Sequence, residues 1–180
     1  MPRFCLLLLA PFLFQSCLSM KEMDAVPPMS LPENDIKQLN GTYENWPVYI
    51  PGNERGDDLH KLLFKPYYTY LWAGERNHAG KVGIEVQNDN RLKITYFGDN
   101  NLIETRTLKG KYNNGFFIVK RKVRALGIPF LYFSYHERRT MLGINEQQEL
   151  VVKTGKSDFG NILILTGGSN EILRYNYKKG

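Results

Sequence analysis

The chain has 180 residues, 42% of them apolar and 23% charged, with 24 Lys+Arg against 18 Asp+Glu for a formal charge of +6. That length suits one globular domain, and 16 Gly, 9 Pro and 13% aromatics exclude a coiled coil, a collagen-like repeat and a charge-rich disordered chain. No apolar run reaches the roughly 18 residues a membrane-spanning helix needs.

Arg3 precedes the apolar stretch Phe4 to Phe14, which is interrupted by Pro11 and gives way to Gln15-Ser16-Cys17. A positive start ahead of a short apolar segment predicts a translocation signal, and the segment is too short to cross about 30 Å of hydrocarbon. Phe14-Gln15-Ser16-Cys17 resembles the signal of bacterial lipoproteins, in which a small residue stands before a cysteine that is diacylated ahead of cleavage. The resemblance implies a signal peptide over 1–16, Cys17 as the lipidation site, and a membrane as partner through the N-terminal lipid. Leu18 at the next position, where inner-membrane lipoproteins carry an acidic residue, implies the outer membrane, with either its periplasmic or its outer face. The alternative is an ordinary secretory signal cut near Ser19. Cysteine count fits lipidation: Cys5 lies in the signal, so a mature chain from Cys17 has no second cysteine with which to form a disulfide. A thioether also leaves no free thiol in an oxidising compartment.

Leu18 to Asp35 contains Pro27, Pro28 and Pro32 and no apolar period, so 17–38 reads as the lipidated cysteine plus a tether. From 39 to 180 the pattern is β. The first strand is expected over Gly41 to Asn45. Asp57 is expected to cap a single short helix ending at Phe64, with Leu59, Leu62 and Leu63 on one face. Tyr67 to Trp72 is the next strand candidate. Val82, Ile84 and Val86 then alternate with polar or small residues, as do Leu92, Ile94 and Tyr96, and Asn88-Asp89-Asn90 between them is turn chemistry. Leu102–Leu108, Phe116–Val123, Phe130–His136, Thr140–Ile144, Leu150–Thr154, Ile162–Thr166 and Glu171–Tyr177 follow, for about eleven short strands. Short connections require an antiparallel arrangement. The expected class is all-β, an up-and-down meander closed into a barrel with one short helix; a β-sandwich is the alternative.

Gly41-Thr42-Tyr43, with Tyr in the place of Trp, resembles the Gly-x-Trp motif of lipocalins and related calycin barrels. The resemblance implies that the Tyr43 ring closes the barrel floor against a basic residue from near the C-terminus, for which Arg174 stands as partner.

Chemistry-bearing motifs are sparse. His60, His78 and His136 have no metal-ligand spacing and no nucleophile signature accompanies them, so the expectation is a non-catalytic protein with no metal and no cofactor. Two features suit binding. Tyr68, Tyr70 and Trp72 in one strand and Tyr132, Phe133 and Tyr135 in another are candidates for lining a cavity that holds a small apolar or aromatic ligand, although the same rings also suit plain core packing. Lys120, Lys122 and Arg124 are expected in an outward row, opposite Phe117, Val119 and Val123, where they suit anionic lipid headgroups or an acidic partner. Nucleic acid is not an expected partner outside the cytoplasm. The functional expectation is an anchored envelope lipoprotein that binds a small apolar ligand; the alternative is a structural accessory docking on an envelope protein complex. An interior cavity above about 300 Å³ would separate the two.

Overall fold

Period-2 alternation over most of the chain produces one antiparallel sheet. The computed structural model describes residues 35–48, 57–64, 80–98, 101–128, 131–163 and 165–180; Cys17, Tyr68, Tyr70, Trp72 and the Tyr67–Trp72 strand candidate lie outside them. The strands are β1 (Gly41–Glu44), β2 (Lys81–Asn88), β3 (Arg91–Gly98), β4 (Asn101–Asn113), β5 (Phe116–Val119), β6 (Lys122–Ile128), β7 (Tyr132–Ile144), β8 (Leu150–Ile162) and β9 (Leu165–Tyr177). They form a nine-stranded sheet in the order β1-β2-β3-β4-β5-β7-β8-β9, with β6 also on β7. A 3-10 turn, Ile36–Leu39, precedes β1 and buries Ile36 and Leu39, so core residues begin ahead of the expected start at 39.

The one helix among the described residues, α1, runs Leu59–Phe64 and buries Leu59, Leu62, Leu63 and Phe64. It starts two residues later than expected. Asp58, the residue just before the helix, pairs its carboxylate with Lys61 at 2.8 Å, while the Asp57 carbonyl accepts a hydrogen bond from Tyr177 Oη at 2.8 Å.

Strands β7, β8 and β9 are each 13 residues long, where shorter pieces were expected. Phe130–His136 and Thr140–Ile144 merge because Glu137-Arg138-Arg139 continues the ladder into β8, opposite Ser157, Lys156 and Gly155. Where neither face of a sheet is fully covered, strand residues need no apolar alternation, and such a segment looks like a loop.

The expected strand Phe116–Val123 divides into β5 and β6 around a bulge. Phe117 faces Leu142 and Ile118 faces Met141, whereas Lys122 faces Arg138 and Val123 faces Glu137. The first pairing sums to one register and the second is offset by one residue, so an extra residue has entered near Lys120-Arg121. One extra residue exchanges the two faces. Lys122 therefore shares the face of the core residue Phe117, and Val123, expected inside, is 47% exposed.

The two ends of the meander meet. Glu44 N–H donates to Lys178 O at 2.9 Å and Gly180 N–H to Thr42 O at 2.8 Å, either side of an antiparallel bridge between Tyr43 and Lys179. Enclosed within are Tyr43, Val82, Ile84, Leu92, Ile94, Phe117, Leu142, Leu150, Val152, Tyr175 and Tyr177, packed against Leu59, Leu62 and Leu63 of α1. Gly110 lets β4 and β5 come this close, since a Cβ there would lie 2.4 Å from Ile118 O and 2.6 Å from the Phe117 ring.

Tyr43 is fully buried, but Arg174 is not its partner. Its hydroxyl donates to Leu39 O at 3.0 Å and its cross-strand neighbour is Lys179. Arg174 is exposed and faces Lys153, on the side of β9 opposite the buried Tyr175 and Tyr177, so it does not cover the Tyr43 ring. The period of two separates them: the interior positions of β9 are 173, 175 and 177.

Candidate interaction surface

Side chains of the described residues pack a single main core. A crevice lined by Leu62, Leu63, Leu108 and Val119, with Lys120, Lys122, Arg138 and Thr140 around it, has a volume of about 20 Å³, room for about one water. The bulge accounts for its basic rim, because it turns Lys122 toward Arg138. Burial, followed by the neighbouring Arg106 guanidinium, pushes the Lys122 amine below the ordinary lysine range. Arg106 itself donates to the C-terminal carbonyls of α1, Leu63 O and Phe64 O, where a cation complements the helix end.

Lys120 and Arg124 are exposed and Lys122 half-buried. The three form a basic surface, but not the single outward row expected from uninterrupted alternation.

The bulge is held by a charged clasp. Arg121 Nε lies 2.6 Å from Glu137 Oε1, its Nη2 donates to Glu137 Oε2 at 2.6 Å and to Tyr135 Oη at 2.7 Å, and Tyr135 Oη donates to the same Oε2 at 2.7 Å. A two-pronged guanidinium–carboxylate contact has fixed geometry, and it ties the break in one strand to the middle of its neighbour. One register step away, on the other face, His136 Nδ1 lies 2.9 Å and Lys156 Nζ 2.6 Å from the two oxygens of Asp158. Burial disfavours that carboxylate's charge, yet hydrogen bonds from Lys156 and His136 and their charges hold it below the usual carboxylate range.

Beyond these clusters β6, β7, β8 and β9 continue as a wing, in which Leu165–Asn170 are all exposed. Tyr132 and Phe133 are 41% and 37% exposed and Tyr135 belongs to the clasp, so these three lie on the wing, outside the described core. The wing ends in two turns tied to each other, with Leu131 N–H donating to Ile128 O at 3.1 Å and Leu163 N–H to Leu131 O at 2.8 Å. Around them Ile128, Leu131, Ile162, Leu163 and Leu165 are 55–75% exposed. The sequence has no charged residue from Ala125 to Tyr135 or from Phe159 to Asn170. Isolated Leu or Phe residues would have indicated no such surface; the signal was the coincidence of two uncharged runs that pair with each other.

Beside the core, His60 stacks on Tyr96 at 3.9 Å between ring centroids and its Nε2 lies 3.2 Å from Glu104 Oε2. Among the described residues no group of three or more His, Cys, Asp or Glu is placed to hold a metal. Comparison with family models, with curated proteins and with solved structures finds no match.

Proposed function

We infer that the protein is a non-catalytic module of the bacterial cell envelope, anchored by a lipid on Cys17, that acts through its outer surface as a structural accessory to an envelope complex. The observation that carries this reading is where the exposed apolar and basic side chains of the described residues lie, on the strands beyond the core. Among the described residues Tyr43, Phe117, Tyr175 and Tyr177 are buried in the core, and the crevice beside α1, at about 20 Å³, is itself far below the roughly 300 Å³ that a small-molecule site occupies. The exposed apolar and basic residues lie instead on the strands outside the core. The meander returning to its own first strand supports reading the domain as a small lipocalin-like barrel in strand order.

The test has two arms. Fed an alkyne-bearing palmitate, cells should label the wild type and not Cys17→Ser, which should leave the membrane fraction for the soluble periplasm or remain unprocessed. Native mass spectrometry of the protein from its own host should give the mass of the lipidated chain alone. A stoichiometric apolar passenger would replace the accessory reading with a carrier, and a Cys17→Ser protein still in the membrane pellet after a salt wash would remove the lipid anchor.

A further inference from the structure

We propose that the tip of the wing is a membrane-docking element that seats the domain on an anionic phospholipid bilayer, independently of any lipid on Cys17. The order of side chains along the strands supports this. At the tip, Ile128, Leu131, Ile162, Leu163 and Leu165 are exposed apolar groups on two turns, the first closed by Leu131 N–H to Ile128 O and joined to the second by Leu163 N–H to Leu131 O. The pairing of the Leu131 and Leu163 amides matters, because an unpaired amide cannot follow an apolar side chain into hydrocarbon. One or two residues inward come Tyr132 and Phe133, the amphipathic and aromatic side chains that favour a bilayer interface.

The first charges follow, Arg124 on β6, His136 on β7 and Asp158 on β8. Farther in lie Lys122, Arg138, Arg139 and Lys156, which outnumber Glu137 and Glu171. The four residue steps from Ile128 to Arg124 span about 13 Å of strand. That exceeds the ~5–10 Å to which an interfacial element sinks, so the basic groups stay at the headgroups when the tip is immersed. An apolar patch alone would fit any dry partner. The basic collar selects an anionic one, and it disfavours a second copy of this cationic chain, whose own collar would face it.

The experiment uses the full chain with Cys5→Ser and Cys17→Ser, carrying one new cysteine for an environment-sensitive dye. Leu163→Cys places the dye at the tip, Leu165→Cys is a second tip position should the first disturb folding, and Asp89→Cys places it in the β2–β3 turn at the other end of the strands. Vesicles of phosphatidylcholine mixed with phosphatidylglycerol should shift the tip dye to the blue and let shallow spin-labelled lipids quench it. The Asp89 dye should stay in water, including when the N-terminal segment alone touches the vesicle. Leu131→Asp with Leu163→Asp, introduced into the tip-dye chain at position 165, should weaken the vesicle titration by about tenfold or more. An unshifted tip dye on anionic vesicles, an equal shift on pure phosphatidylcholine, or burial of the dye by self-association without vesicles would each overturn the proposal. None of these outcomes bears on palmitate labelling of Cys17, so the two readings fail separately.

Discussion

Lys153 illustrates how one residue can work against the fold that contains it. It lies on the outer face of β8, 5% exposed, with its amine 4.8 Å from the centre of the Phe116 ring, beside Met141 and the partly buried Ile118. The ring face favours a cation, but burial, followed by the charge of Arg174, lowers the Lys153 pKa from 10.5 to about 8. Between about pH 8 and 10.5 the unfolded chain therefore holds more protons at this group than the folded one, and stability rises with pH across that window. Tyr43 and Tyr177 act in the opposite sense. Burial holds both phenols well above the ordinary 10.0, so their contribution is complete below pH 10 and is lost as pH rises above it. Urea denaturation from pH 7 to 11 should show stability climbing above pH 8 and turning over above pH 10. Lys153→Met should flatten the climb and leave the turnover, and a rise of the wild-type size in the variant would show that another group supplies it.

At the level of elements the bulge between β5 and β6 decides which surface the chain presents. Its register makes a contrast that mutagenesis can read. Val123→Lys should change stability by no more than about 0.5 kcal/mol, as exposed substitutions usually do, whereas Phe117→Ala, six residues earlier, should cost about 3–5 kcal/mol as a large core truncation. Equal losses in thermal melts would mean that Phe117 and Val123 share the interior face after all.

The same bulge separates what was legible in the sequence from what was not. The hairpin β2–β3 could be read directly because Val82, Ile84, Leu92 and Ile94 alternate against one core and Asn88-Asp89-Asn90 supplies the turn. The bulge gave no such sign: Lys120-Arg121-Lys122 carries neither Gly nor Pro, and it is held by a contact from Arg121 to Glu137, 16 residues away. The merging of β7, β8 and β9 was hidden for a related reason, since a strand with neither face fully covered is free to be polar. At the candidate surface the basic residues could be identified by type, but their partners depended on the face exchange. For Arg174, counting inward from the buried Tyr175 and Tyr177 would have placed it outside; a three-residue motif could not.

For the whole molecule the decisive contact is the one between Tyr43 and Lys179. Removing Lys178–Gly180 deletes the acceptor of Glu44 N–H and the donor to Thr42 O, and it exposes an edge of β1 that is otherwise paired. Hydrogen exchange of the shortened protein should lose protection at Thr42 to Glu44 first, with β7 and β8 retaining theirs; unchanged protection in β1 would show that the bridge contributes nothing to the closed sheet.

The bridge also sets an order of assembly. Each described hairpin joins sequence neighbours and can form as soon as its second strand is available, whereas Tyr43 must wait for Lys179, across nearly the whole domain. Closing so long a loop carries the largest entropy cost and contributes to slow folding. Until it closes, the first strand is unguarded and vulnerable to pairing with a neighbour's edge. A dimer trapped at that stage would exchange C-terminal segments, each Lys179 lying against the Tyr43 of the other chain.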